Sequence, residues 1–143
     1  MNDEVNYRGI CYPWQCDHVG HMNIMWYVSK FDEANWNFLS RLGLTSSYLR
    51  DSGYGLAGVQ QNLSYKREVH PGDSIEIKTQ LLEVRDKTLR FRHEMRNVEI
   101  DEVVALCEMT AAHLDKRTRR AVPWTSEVQA AAQKRLSTEP KPT

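Results

Sequence analysis

One short stretch, Trp14–Asn23, holds most of the residues in this chain that are suited to chemistry; it reads Trp-Gln-Cys-Asp-His-Val-Gly-His-Met-Asn. It places a carboxylate, Asp17, and two imidazoles, His18 and His21, just before a segment of helical periodicity. The N-terminus of a helix presents unpaired backbone N–H groups and the positive end of the helix dipole. Such donors hold an oxyanion, while a nearby carboxylate supplies a base or a nucleophile. Acyl transfer at a thioester needs these two ingredients.

A long helix is predicted to carry these donors. From about Ile24 to Leu42, apolar residues recur at three- and four-residue steps and form one stripe. Asn23 is the best candidate for the N-cap, because its side chain can accept a backbone N–H. Trp26 and Trp36 lie off the stripe, with Glu33 on their line, so we expect a helix covered on more than one side.

The remaining periodicity is mostly that of strands. A first strand is predicted from Tyr7 to Gln15, although Gly9 and Pro13 are unfavourable there. After a short helical patch near 46–51, residues alternate with period two in four segments, which predicts an antiparallel meander with one buried face. These segments are 59–65, 75–81, 89–96 and about 103–114. The order of strand, long helix and strands predicts an α+β fold in which an antiparallel sheet wraps one long central helix.

Length and composition predict a single domain. The 143 residues suit one domain over 1–136, with a last short helix at about 123–136 and a disordered tail at 137–143. The formal net charge is zero, from 19 Lys+Arg against 19 Asp+Glu, which argues against a chain-wide attraction to nucleic acid or an anionic membrane. We therefore expect neither a nucleic-acid nor a membrane partner.

The three cysteines, Cys11, Cys16 and Cys107, contain no Cys-x-x-Cys pair and are expected to be reduced thiols with no disulfide or zinc role. The segment before Arg8 lacks the apolar core of a secretory signal, so we expect a cytoplasmic protein. No metal site is expected at His18 and His21, because their spacing fits no dedicated zinc pattern. No cofactor is expected.

The motif residues resemble the 4-hydroxybenzoyl-CoA thioesterase family of hotdog proteins. Members of this family show an Asp, two variable residues, Gly-His-x-Asn, an aromatic residue and a helix carrying Glu-Ala. The matching residues here are Asp17, Gly20-His21-Met22-Asn23, Tyr27 and Glu33-Ala34, and the likeness continues through Tyr65, Pro71-Gly72-Asp73 and Asp115-x-x-Thr118-Arg119. The resemblance covers roughly residues 7 to 124 and implies a hotdog fold.

The resemblance also implies roles. Asp17 would be the catalytic carboxylate, either as nucleophile through a mixed anhydride or as general base on water, and the sequence does not separate the two. Backbone N–H groups around Ile24, Met25, Trp26 and Tyr27 would polarise the thioester carbonyl. His21 and Asn23 would orient the loop or touch substrate. Many relatives carry a second acidic residue where this chain has Gln15, and others have Pro or Ala where it has His18, which leaves the acyl specificity open.

Other residues have less specific interpretations. Glu33 is either a carboxylate supporting the site or a charge on the helix face. The Lys116–Arg120 run has four cations in five residues and is most simply a solvated surface. Arg117 and Arg119 are also the best candidates for binding the CoA phosphates. A hotdog enoyl-CoA hydratase or dehydratase, and a non-catalytic acyl-CoA or acyl-carrier binding module, are the alternative functions.

Self-association is expected under each of these hypotheses. A single sheet wrapped on one helix leaves apolar surface and sheet edges exposed. The resemblance implies dimers with joined sheets and shared sites, often assembled into homotetramers. The sequence does not choose between dimer and tetramer, between CoA and acyl-carrier protein, or among acyl groups.

Overall fold

The computed structural model describes residues 4–138, with side chains as far as Leu136. Three helices, α1 (Ile24–Arg41), α2 (Ser46–Asp51) and α3 (Ser126–Thr138), accompany one sheet. Its five strands are β1 (Glu4–Ile10), β2 (Tyr54–Tyr65), β3 (Ser74–Val84), β4 (Thr88–Asn97) and β5 (Glu102–Asp115). The described part of α3 overlaps the first residues of the predicted tail, and 139–143 lie outside the described residues.

The sheet is antiparallel throughout, and its strand order is β1-β3-β4-β5-β2. The α+β hotdog fold predicted from the sequence is therefore confirmed. The predicted four-strand meander is wrong in one respect: β2 pairs with β5 at the far edge instead of with β3. Residues 66–73 carry the chain across the sheet between β2 and β3, a connection that alternation alone does not distinguish from a hairpin.

The first strand also differs from its prediction. It runs from Glu4 to Ile10, and Pro13–Gln15 form a 3-10 turn instead of continuing it. Proline lacks the N–H that a strand interior needs but suits the first position of a helical turn. Gln15 completes the turn, because its side-chain Oε1 accepts the Tyr12 N–H at 3.1 Å. The chain is thereby turned away from the sheet just before the motif.

Helix α1 packs on the sheet through its predicted apolar stripe. Tyr27, Phe31 and Ala34 lie in one buried cluster with Ile75 and Met95, among other residues of the sheet. Farther along the helix, a second cluster joins α1 to the ends of β3 and β4 and to α3; its members from α1 include Phe38 and Leu39. The long helix thus has a fixed position along the whole sheet, from its N-terminus to its C-terminus.

The two edges of the sheet differ. Side chains of α1 reach the β1 edge, where Asn37 donates to the Asn6 carbonyl at 2.6 Å and Arg41 donates to the Val5 carbonyl at 3.0 Å. Along β2, the stretch from Gly58 to Asn62 is exposed, and no described strand pairs with its outer side. The open edge of the described sheet is therefore the β2 edge.

No helix in the described range 4–138 is long and apolar enough to cross a membrane.

His113 on β5 and His93 on β4 are both completely buried in the interior, and His93 contacts α1 as well as β3. Its Nε2 lies 2.6 Å from Asn35 Oδ1 on α1, and its Nδ1 lies 2.7 Å from the Thr79 hydroxyl on β3. A neutral imidazole with its proton on Nε2 donates to Asn35 and accepts from Thr79. Burial lowers the pKa of His93 to about 3, so the folded protein keeps this ring neutral.

This burial predicts an acid-dependent loss of stability. The unfolded chain protonates His93 below about pH 6.5, whereas the folded chain does so only near pH 3, so lowering the pH favours unfolding. Between about pH 6.5 and pH 5, where most carboxylates stay ionised, the free energy of unfolding should fall by about 2 kcal/mol from this group alone. Denaturant titrations at both pH values should show this fall in the parent and lose it in His93→Gln. Equal falls in the two proteins would contradict the assignment.

Candidate active site

The motif folds as a tight loop that leads into α1. Cys16 and Met22 face each other in an isolated antiparallel bridge, and the Asp17 N–H donates to the His21 carbonyl at 3.2 Å. Gly20 closes the loop with φ of +99°, a left-handed conformation that residues with a side chain rarely adopt. The glycine of the motif is thus explained by the turn that returns the chain to the start of the helix.

The Asp17 carboxylate is held by two donors. Its Oδ1 accepts the Val19 N–H at 2.9 Å, and its Oδ2 accepts the Asn23 side-chain N–H at 2.9 Å. The Asn23 hydrogen bond is the largest cause of a lowered pKa at Asp17, followed by the Val19 N–H, and the nearby imidazoles act in the same direction. Asp17 is partly exposed, so this ionised carboxylate remains accessible to a small molecule.

Asn23 also begins the helix, as predicted. Its Oδ1 accepts the Met25 N–H at 2.9 Å, and its carbonyl accepts the Trp26 N–H at 2.9 Å. These bonds occupy two of the backbone donors that the sequence offered for an oxyanion. Within the described chain, the Ile24 N–H has no hydrogen-bond acceptor, and the Ile24 side chain is 59% exposed. Ile24 therefore supplies an open donor at this helix end.

A cleft of ≈ 330 Å³ lies beside the start of α1. Its walls come from the motif and the first turn of α1 on one side and from the segment after β2 on the other; they are His21, Met22, Ile24, Tyr27, Tyr65, Lys66, Arg67 and Glu68. The Tyr27 and Tyr65 rings meet edge to face, with centroids 5.1 Å apart. The cleft therefore has an aromatic wall close to the open Ile24 donor.

Polar groups fix this wall. The Tyr27 hydroxyl donates to the Arg67 carbonyl at 3.0 Å, and burial raises the Tyr27 pKa to about 12, so this phenol stays protonated. His21 Nε2 lies 3.3 Å from Glu68, and Arg67 lies 2.5 Å from Glu102. The segment 65–68 contributes half of the cleft, yet the sequence analysis assigned none of its residues to the site and named Tyr65 only as part of the family resemblance. No period or spacing marks Glu68.

The structure brings together only part of the predicted site. His21, Ile24 and Tyr27 line the cleft, and Asn23 binds Asp17, which lies outside the cleft walls. Met25 is 61% exposed and outside the cleft, whereas Trp26 packs against the buried cluster of α1. Glu33 is exposed farther along α1 and lines no described cavity wall.

Arg117 and Arg119 lie at the opposite end of the molecule. Tyr65, beside the cleft, pairs with Ala105, whereas the turn that holds the arginines follows Asp115 at the other end of β5. At about 3.3 Å per residue, these two points on β5 are roughly 33 Å apart. Within a single chain, neither arginine is therefore in reach of Asp17 or of the cleft. Sequence order contains no signal for this distance.

Metal ligands are not assembled here: among residues 4–138, no three His, Cys, Asp or Glu side chains are grouped so that they could hold a metal ion.

Comparison with known proteins identifies the family. The model of the thioesterase-like superfamily matches residues 11–132. A betainyl-CoA thioesterase of Pseudomonas aeruginosa is 29% identical over 118 residues, which are 82% of this chain and 74% of the relative. An L-carnitine dehydrogenase/betainyl-CoA thioesterase of Agrobacterium fabrum is 32% identical over 106 residues, which are 74% of this chain and 22% of that longer protein.

Solved structures agree on the fold. A hypothetical protein of Staphylococcus aureus, solved in complex with CoA, superposes with a TM-score of 0.92 at 17% identity, covering 100% of this chain and 90% of that one. The chain is thus a hotdog protein of the class of thioester hydrolases. It belongs to the thioesterase-like superfamily.

The hydrogen bonds at Asp17 predict a measurable shift in its titration. Replacing Asn23 with Ala removes the main donor to the carboxylate, so the pKa of Asp17 should rise toward its ordinary value. Carbon-detected NMR of the Asp17 carboxyl between about pH 2 and 6 measures it in both proteins. Asn37→Ala is the matched control, because Asn37 binds the β1 edge instead. An Asp17 pKa that is the same with and without Asn23 would refute this role.

Proposed function

We propose that this chain hydrolyses acyl-CoA thioesters to a carboxylate and free CoA, with Asp17 as the catalytic carboxylate. The observation that carries the proposal is the ionised Asp17, held by Asn23 next to a helix N-terminus with an open Ile24 N–H. Membership of the thioesterase-like superfamily and the names of the relatives support the reaction. The CoA bound to the similar staphylococcal structure supports the carrier.

The chemistry follows from these groups. The thioester carbonyl approaches the Ile24 N–H, which stabilises the negative charge that develops on oxygen as the carbonyl carbon becomes tetrahedral. Asp17 then acts either as nucleophile, forming a mixed anhydride and releasing CoA thiolate, or as general base on water. The lowered pKa favours the nucleophile, because a general base works best with a pKa near the operating pH. His21, Ile24 and Tyr27 contact the substrate from the cleft wall.

The lining of the cleft indicates which class of acyl group to test first. Aromatic faces attract cations, and a quaternary ammonium is a frequent ligand of such surfaces. Tyr27 and Tyr65 supply the faces, Glu68 adds a carboxylate, and Arg67 is paired with Glu102. A betainyl group, which the relative from Pseudomonas aeruginosa accepts by its name, carries such a cation. Betainyl-CoA therefore belongs in any substrate panel.

Self-association completes the site in this proposal. Two copies that pair antiparallel along the open β2 edges, centred on the exposed stretch Gly58–Asn62, place the Tyr54 end of one strand beside the Tyr65 end of the other. The turn with Arg117 and Arg119 of the second copy then lies on the side of the first copy's cleft. Guanidinium groups there would bind the phosphates of CoA.

Thiol release from an acyl-CoA panel tests the reaction. The panel contains betainyl, short aliphatic, long aliphatic and aromatic acyl groups. Asp17→Asn keeps the size of the side chain but removes its charge, so kcat/KM should fall by about 100-fold or more. Asp86→Asn, an exposed Asp in the turn between β3 and β4, is the matched control and should retain the parent activity. With both Arg117 and Arg119 changed to Ala, KM for the CoA ester should rise.

The other outcomes separate the alternatives. A parent that binds CoA esters but releases no thiol from any panel member would be a binding module. Hydration of an enoyl-CoA without thiol release would place the chain with the hydratases. Thiol release that survives in Asp17→Asn would leave the thioesterase in place and refute Asp17 as its catalytic group.

A further inference from the structure

Two thiols lie next to each other beside the motif. Cys11 Sγ and Cys16 Sγ are 3.7 Å apart, although the sequence suggested that the three cysteines are unrelated. Cys11 is fully buried at the end of β1, and Cys16 is partly exposed and directly precedes Asp17. A disulfide has its sulfur atoms about 2.05 Å apart. A movement of less than about 2 Å, within the range of side-chain rotation, therefore joins this pair.

The backbone holds the pair in this arrangement. The Cys11 N–H donates to the Asp73 carbonyl at 2.9 Å, and the Cys16 N–H donates to the Pro13 carbonyl at 3.1 Å. The 3-10 turn between them is closed by the hydrogen bond from the Tyr12 N–H to Gln15. The short segment is thus ordered before any covalent bond forms, and the two sulfurs meet without local unfolding.

We propose that Cys11 and Cys16 form a reversible oxidation site, in which a low-molecular-weight disulfide such as oxidised glutathione converts the two thiols into an intramolecular disulfide that displaces Asp17 and slows hydrolysis. The effect on hydrolysis rests on the proposed function, whereas formation of the disulfide does not.

The thiol–disulfide exchange with oxidised glutathione takes two steps. The partly exposed Cys16 thiolate attacks one sulfur of oxidised glutathione, the S–S bond of the reagent breaks, and one glutathione thiolate leaves. The Cys11 thiolate then attacks Cys16 Sγ and displaces the second glutathione thiolate. Two protein thiols have been oxidised, one glutathione disulfide has been reduced to two thiols, and the two protons from the protein end on glutathione.

The second step is the slower one. Burial raises the pKa of Cys11 to about 12, so little thiolate is present at neutral pH. Two features speed this step. The positive charge of the buried Lys30, whose Nζ donates to the Tyr7 hydroxyl at 2.7 Å, favours the Cys11 thiolate. The sulfur that Cys11 attacks is also already in contact with it. The pair therefore oxidises slowly and selectively.

The new bond acts on Asp17 through the backbone. Cys16 is covalently next to Asp17, and the loop that positions the carboxylate starts at the Cys16–Met22 bridge. Drawing Cys16 toward the buried Cys11 pulls on this loop, and a shift of about 1 Å in a catalytic group costs on the order of 100-fold in rate. Oxidation should therefore lower kcat more than it changes KM.

Mass spectrometry of the full chain tests the modification. After exposure to oxidised glutathione and alkylation, the tryptic peptide that follows Arg8 and ends at Lys30 contains Cys11 and Cys16 and no other cysteine. In the parent it should escape alkylation and be about 2 Da lighter than the reduced peptide, because two hydrogens leave. Dithiothreitol should restore alkylation. Cys16→Ser should stay alkylated at Cys11, and Cys11→Ala should stop at a mixed disulfide on Cys16.

Hydrolysis of the best panel substrate tests the consequence. The oxidised parent should be at least about tenfold slower than the reduced parent and should recover with dithiothreitol, whereas Cys16→Ser should be equally active before and after oxidation. A peptide that remains fully alkylated, or a bond from either cysteine to Cys107, would overturn the site. A disulfide with unchanged hydrolysis would overturn its control of Asp17. If the reduced parent hydrolyses no thioester, the proposed function and this control fail together, while the peptide mass still decides on the site.

Discussion

A single side chain, the carboxamide of Asn23, joins the two parts of the candidate active site. Its N–H donates to the Asp17 carboxylate, and its oxygen caps the helix at the Met25 N–H. Because the two ends of a carboxamide have opposite polarity, one residue stabilises an anion and satisfies a helix donor at once. The position of Asp17 relative to the helix end, and with it the distance from carboxylate to oxyanion donor, depends on this residue.

The Asn23 side chain can position Asp17 only because α1 itself is fixed against the sheet. The helix is buried against the sheet along its length. Its polar side chains also form hydrogen bonds to the sheet, from Lys30 to Tyr7, between Asn35 and His93, and from Asn37 to the β1 backbone. Sites on rigid elements keep their geometry better than sites on loops alone. The motif loop is short and is attached at both ends, by the Cys16–Met22 bridge and by Asn23.

Periodicity predicted the bounds of α1, the buried faces of β3 and β4 and the N-cap, since each is a local property of the chain. It did not predict that β2 pairs with β5, because alternation reports which face is buried and not which strand is next. Three other features also depend on tertiary structure and so are not visible in the local pattern. They are the contact of Cys11 with Cys16, the contribution of Glu68 to the cleft and the distance of the two arginines from Asp17. The assignment of backbone donors around Ile24 to Tyr27 to an oxyanion stays a prediction, and in the structure Asn23 occupies the N–H groups of Met25 and Trp26.

The pH dependence of kcat/KM for the best acyl-CoA substrate tests whether Asp17 carries the reaction, provided that circular dichroism confirms folded protein at each pH. Asp17 is held ionised by Asn23 and Val19, so its pKa lies below its ordinary value of about 3.9. We expect activity to stay level from about pH 8 down to about pH 5, because the Asp17 carboxylate is already deprotonated throughout this range. A fall centred near pH 6.5, where imidazole titrates, would show that a histidine and not Asp17 carries the reaction.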